Sequence, residues 1–164
     1  MGIKEKVMAV IISSALIVLG TGCSSESYEI GPGTPNGNYA TQTRNTSLEY
    51  SVYINKQITV FTGLLNTRII SINNGKHVKN PTEIQSAKNA LDTMKDIRDE
   101  VEITYPSIGR ESDRLMILTQ METTIKNMED YIACLEKGGD TSAYADIFSE
   151  DFNQLTGLAQ MYYQ

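Results

Sequence analysis

Tryptophan is absent, histidine occurs once and cysteine twice, and each scarcity closes off chemistry that needs those side chains. With His77 alone there is no H-E-x-x-H zinc motif, no pair of Glu-x-x-His ligands for a di-iron centre and no C-x-x-C-H haem attachment. His77 follows Lys76 and precedes Lys79, and nothing in its neighbourhood supplies a nucleophile or an orienting carboxylate, so it reads as a surface loop residue. An EF-hand loop, a glycine-rich phosphate loop and G-x-S-x-G are also missing. No catalytic, metal or cofactor-binding set is therefore expected. Basic residues are the scarcer charge, 14 against 20 acidic, for a net charge of -6. A chain of that sign without a basic stripe repels phosphate backbones, which argues against nucleic acid as a partner. Long hydrophobic runs are lacking too. Val7–Leu19, interrupted only by Ser13 and Ser14, is 13 residues, whereas a membrane-spanning helix needs about 20.

What is present begins with an export signal. Lys4 and Lys6 form a positive start, Val7–Leu19 an apolar core, and Gly20-Thr21-Gly22-Cys23 a small-residue site that ends in cysteine. This arrangement resembles the lipobox of bacterial lipoproteins, with Thr21 and Gly22 in the two small-residue positions, Gly20 three places before the cysteine and Leu19 one further back. The resemblance covers residues 1–23. It implies cleavage before Cys23, a diacylglyceryl group on the Cys23 sulfur, and a mature protein held to the extracytoplasmic face of a cell membrane by palmitate-type acyl chains. Two chains anchor stably, where a single chain binds only marginally. The alternative is an ordinary secretory signal, which leaves Cys23 to pair with Cys134. Removing residues 1–22 takes away Lys4, Glu5 and Lys6 and leaves 12 basic and 19 acidic residues, a charge of -7.

Residues 23–46 read as the lipidated N-terminus and a tether. Between 24 and 46, 15 of 23 residues are Ser, Thr, Gly, Pro or Asn, and Ile30 is the one branched aliphatic residue. Such a stretch has too little apolar surface to bury. A flexible chain of this length averages about 25 Å end to end and extends to roughly 80 Å.

Residues 47–164 form the domain, and their apolar residues repeat with helical spacing. A first helix from about Ser47 to Asn73 carries Tyr50, Ile54, Ile58, Phe61, Leu65, Ile69 and Ile72 on one face, with Asn73-Asn74-Gly75 as its stop. Asn80-Pro81-Thr82-Glu83 predicts the next start, with Asn80 as N-cap, Pro81 in the first position and Glu83 reaching back to the cap. Ile84, Ala87, Leu91, Met94, Ile97 and Val101 follow, up to Tyr105-Pro106. A third helix shows Leu118, Met121, Ile125, Met128, Ile132 and Leu135 in steps of three and four, and stops at Gly138-Gly139. A fourth opens after Asp140-Thr141-Ser142 with Tyr144, Phe148, Phe152, Leu155 and Leu158. Short connections between long helices predict an all-α, antiparallel up-down-up-down four-helix bundle. A three-helix bundle with one loosely docked helix is the alternative.

That topology brings Tyr50, Tyr53, Tyr105, Tyr162 and Tyr163 to one pole, where the tether also joins. Tyrosine combines rigid contact area with a polar tip, which suits an interface or a ligand cleft, or simply the closure of a bundle end. Lys76, His77, Lys79 and Lys137 gather at the opposite pole. Asp146, Glu150 and Asp151 on the fourth helix read as a solvated acidic face. Cys134, beside the seam of the third helix, reads as a small, partly buried hydrophobe. Three functions are consistent with these features. The first is a lipid-anchored, non-enzymatic module that binds a protein or envelope component. The second is a small-molecule or ion sensor. The third is a carboxylate enzyme built on Glu111 and Asp113, for which so small a bundle without tryptophan offers little sugar-binding cleft.

Overall fold

A computed structural model of the chain describes residues 46–76 and 78–163, all within the second of its two units, Met1–Asn38 and Tyr39–Gln164. The expected signal peptide, Cys23, the tether through residue 45 and His77 lie outside the described residues, as does the side chain of Tyr163. Four α-helices account for most of the rest: α1 Ser47–Ser71, α2 Pro81–Ile103, α3 Glu111–Lys137 and α4 Tyr144–Gln160. No strand occurs among the described residues. The expectation of an all-helical domain is met, with four helices packed on one core.

Local chemistry sets the helix boundaries. Thr46 caps α1 reciprocally: its hydroxyl accepts from the Glu49 N–H at 3.2 Å, and the Glu49 carboxylate accepts from the Thr46 N–H at 3.0 Å. These bonds favour ionised Glu49 and hold its carboxyl below the usual range. At its other end α1 stops at Ser71, two residues before the predicted limit. The backbone then widens into a π-turn, Ile72–Lys76, and Gly75 ends it at φ +80°, a conformation that glycine adopts without steric cost. Asn80 caps α2 as predicted, accepting from the Thr82 and Glu83 N–H groups at 3.0 and 3.3 Å, with Pro81 in the first turn. Glu83 does not reach back to this cap. Its side chain turns inward, where a buried arginine and two hydroxyls offer it more than one exposed N–H would.

At the end of α3, Gly138 takes φ +73° and its N–H donates to the Leu135 carbonyl at 3.0 Å. Gly139 follows so closely over Cys134 that a Cβ there would lie 2.6 Å from the thiol sulfur. Asp140 then accepts from the Ser142 N–H at 2.9 Å ahead of α4.

The core lies on the face that the spacing indicated. Tyr50, Ile54, Phe61 and Leu65 of α1 meet Ala87, Met94 and Val101 of α2, Met121, Met128 and Leu135 of α3, and Phe148 and Leu155 of α4, all essentially without solvent contact. α1 packs against α2 and α4, and α3 against the same two helices. Full burial of one such side chain is worth about 1.5–3 kcal/mol.

Candidate functional site

The polar groups held inside this apolar frame fall into three clusters. The first centres on Glu83, 4% exposed. Its Oε1 accepts from Arg68 Nη1 at 2.8 Å and from the Tyr131 hydroxyl at 3.0 Å, and its Oε2 accepts from Ser71 Oγ at 2.6 Å. Arg68 also donates Nη2 to Ser86 at 2.9 Å. Tyr131 packs its ring edge-on against Tyr144 and Phe148, each 5.4 Å away. Burial and the adjacent Glu83 carboxylate push the Tyr131 hydroxyl well above its ordinary pKa, so it stays a proton donor. Residues of α1, α2 and α3 are thereby cross-linked through one carboxylate.

The second cluster corrects the sequence reading of α4. Asp151, expected on a solvated acidic face, is 4% exposed. It accepts from Gln120 Nε2 at 3.1 Å and from Asn127 Nδ2 at 2.9 Å, two neutral amides of α3. Burial raises its pKa, and the amide hydrogen bonds oppose that rise only in part. Its position three residues after Phe148 and four before Leu155 was the available signal, since that spacing puts it on the core stripe.

The third cluster contains the tyrosines that the sequence singled out. The first turns of α1 supply Ser47, Tyr50, Ser51 and Tyr53. The turn after α4, Met161–Tyr163, supplies Tyr162, and residues 104–110 with the first turn of α3 supply Tyr105, Pro106, Ser107, Arg110 and Arg114. The Tyr50 ring lies 5.3 Å from that of Tyr162 and 6.0 Å from that of Tyr53. Tyr105 joins this group through arginine: the Arg114 guanidinium sits 4.6 Å over its ring, and Arg110 sits 4.8 Å over Tyr162. Hydrogen bonds tie the parts together. Ser51 Oγ donates to the Tyr162 carbonyl at 3.1 Å, Ser47 and Ser107 share a hydroxyl contact of 2.8 Å, and Arg110 Nη2 donates to the Met161 carbonyl at 3.0 Å. Thr104 Oγ1 donates to the Tyr53 hydroxyl at 3.3 Å.

Tyr50 is 1% exposed and Tyr162 8%, so both are deeper than a simple contact surface requires. Tyr53 and Tyr105 are half-buried. Around them Leu48, Val52, Ile103 and Ile108 are exposed. A cavity of about 200 Å³ opens here, lined by Ser47, Tyr50, Ser51, Pro106, Ser107, Arg110 and Tyr162. The hydroxyls of Tyr50 and Tyr162 are buried without a hydrogen-bond partner among the described residues, and so is Arg114 Nε. The two hydroxyls lie close enough to act on one another, an interaction that raises the pKa of Tyr50 and lowers that of Tyr162. Burial pushes both pKa values up, that of Tyr162 to about 12, so both remain protonated donors at neutral pH.

Sequence reasoning missed Arg110 and Arg114, although Arg114 precedes Ile117 and Leu118 at core spacing. The remaining candidates have other roles. Asp113 pairs with Arg110 Nε at 2.9 Å, and Glu111 accepts from the Gly109 N–H at 2.9 Å, so the two carboxylates brace the start of α3. Cys134 is half-buried, its thiol 3.6 Å from the Asp140 carbonyl. Lys76, Lys79 and Lys137 are exposed, and the Lys79 stem lies against Gly138.

An apolar groove of about 560 Å³ runs between α3 and α4, with Leu115, Met116 and Leu158 along it and Gly157 leaving open space. No group of three His, Cys, Asp or Glu side chains suited to a metal occurs among the described residues, and none of the described helices is long and apolar enough to cross a membrane. No family model, curated protein or solved structure matches this chain, so the site stands on its own chemistry.

Proposed function

We propose that the chain is a lipid-anchored lipoprotein of the extracytoplasmic cell envelope, and that its helical domain is a non-enzymatic binding module for a protein or other envelope component. The observation that carries the anchor is Cys23, directly behind an apolar run of 13 residues and the small residues Gly20-Thr21-Gly22. In this reading the four helices run up-down-up-down with antiparallel neighbours. The short connections support that topology. So do the hydrogen bonds that join the first turns of α1 to residue 107 and to the turn after α4.

Residues 23–45 then lead to Thr46 beside the tyrosine cluster, and the tethered end of the domain is its binding end. Its rim of exposed Leu48, Val52, Ile103 and Ile108 around Tyr53 and Tyr105 has the aromatic and aliphatic character of an interface centre. The cavity among Tyr50, Tyr162 and Arg110 favours a second reading, a sensor that takes a small molecule at that same end.

Intact mass of the membrane fraction tests the anchor. The expected result is a chain that starts at Cys23 and carries a diacylglyceryl increment, lost in Cys23→Ala. A soluble, unacylated chain with a Cys23–Cys134 disulfide would overturn it.

A further inference from the structure

We propose that the outer face of α1 is a self-association surface, on which a second copy of this chain docks antiparallel about a two-fold axis at Gly63. The inference depends neither on the tyrosine end as a binding site nor on the lipid anchor. α1 is apolar on both sides. Its core stripe, Tyr50, Ile54, Ile58, Phe61 and Leu65, is buried in the bundle. Opposite that stripe the helical period places Val52, Thr59, Gly63, Thr67 and Ile70, with Val60 at the edge, and all six are exposed. Val52 is 61% exposed, Val60 45% and Ile70 53%. Thr59 and Thr67 donate their hydroxyls back to the Asn55 and Gly63 carbonyls at 2.7 and 2.9 Å, so their polarity is satisfied within the helix. A helix that is apolar all round is normally covered on every side.

The neighbouring helices show what a solvated face looks like in this domain. α2 exposes Asp92, Asp96 and Asp99, and α3 exposes Glu122, Glu129 and Asp130. On α1 the exposed charges are Glu49 in the first turn and Lys56.

Charge selects the occupant. Two copies of a chain with a net charge of -6 repel one another across acidic faces such as those of α2 and α3. At the outer face of α1 they meet without opposed carboxylates. A two-fold axis at Gly63 sets Thr59 of one copy against Thr67 of the other, and Lys56 against Ile70. Ile70 stands in the last turn of α1, where the negative end of the helix dipole favours a cation. Each lysine thus meets a complement on the second copy. Gly63 has nothing within 4 Å of where a side chain would start, so the two backbones can approach closely at the crossing. A membrane surface suits this face less well. Helices that lie in a lipid interface are rich in lysine and arginine on their polar side, whereas the acidic α2 packs beside α1.

α1 has 25 residues, a length of about 37 Å. Two such faces laid together bury on the order of 1,000 Å², the low end for a specific complex, so the dimer should be reversible.

The test is sedimentation equilibrium of the full chain in density-matched detergent. Two chains per particle are expected at high concentration, and one on dilution. Gly63→Glu replaces a glycine inside a helix by a better helix former in open space, so helix content by circular dichroism should be retained. It brings two like charges together across the axis and should weaken self-association by about a hundredfold or more. Leu115→Glu, in the groove between α3 and α4, should leave the dimer intact, and so should Cys23→Ala. Cross-linking reads the register on a Cys134→Ser background. Gly63→Cys should give a disulfide-linked dimer, whereas Val52→Cys, about 33 Å from its counterpart, should not.

A chain that stays monomeric up to about 1 mM would overturn the inference. So would a folded Gly63→Glu that dimerises like the wild type, or disulfide capture through Val52→Cys in place of Gly63→Cys. Binding of Cys23→Ala to anionic vesicles, lost in the added Gly63→Glu, would assign the face to a membrane instead.

Discussion

The Glu83 cluster and the tyrosine cluster are built from the same parts and finished differently. Each buries an arginine and at least one tyrosine hydroxyl. Around Glu83, one carboxylate receives Arg68, Tyr131 and Ser71 together, and among these groups only Arg68 Nε is left over. Around Tyr50, Arg110 pairs with Asp113, whereas Arg114 and the two hydroxyls meet no carboxylate among the described residues. A polar network closed on itself stabilises and fixes a geometry. One whose members are only partly satisfied is held less tightly at that point. The difference separates a closed structural lock from a looser polar cluster.

Substitutions can break or sharpen that contrast. The largest effect is expected from Glu83→Gln, which strands the Arg68 charge and should cost about 3–5 kcal/mol in urea unfolding. A loss under 1 kcal/mol would show that the cluster is no lock. Next comes one deletion made in both places. Tyr131→Phe removes a hydrogen bond to a buried carboxylate and should cost about 1.5–3 kcal/mol, whereas Tyr50→Phe should change stability by less than about 0.5 kcal/mol. Equal losses would erase the distinction.

Thr46→Ala removes the reciprocal cap at the start of α1 and should cost about 1 kcal/mol, read as a lower melting temperature. The smallest effect concerns Asp151, whose folded pKa is raised by burial. The native state therefore holds its proton more tightly than the unfolded chain. This contribution should lower stability as pH rises from the ordinary 3.8 through the raised folded value, and the loss should persist above it. Asp151→Asn should flatten that segment of the stability profile. An unchanged profile would mean that the carboxylate is effectively solvated.

The helices and their buried stripe were legible because apolar spacing reports directly which face is covered. Leu118, Met121, Ile125, Met128, Ile132 and Leu135 are all buried as spaced. The caps were legible only in part, and two glutamates show why. Glu49 and Glu83 both stand three places after an N-cap residue, yet Glu49 reaches back and Glu83 does not. The local pattern is the same for both. A buried arginine, brought near by tertiary packing, decides the second.

The tyrosine cluster was legible for Tyr50, Tyr53 and Tyr162, whose rings meet. The depth of two of them, and the arginines that accompany them, depend on how residues 104–110 fold over α1, which no helical period encodes. Asp151 was misplaced because its charge outweighed its position.

The turn at Gly138–Gly139 has a kinetic consequence. Glycine's missing side chain lets the backbone lie directly over the Cys134 sulfur. That turn covers one side of the half-buried thiol, so labelling of Cys134 should quicken as the end of α3 opens locally. Its rate should follow the fraying of one helix end and ignore denaturant too dilute to unfold the whole domain. A larger residue at 139 should displace the turn and speed the labelling.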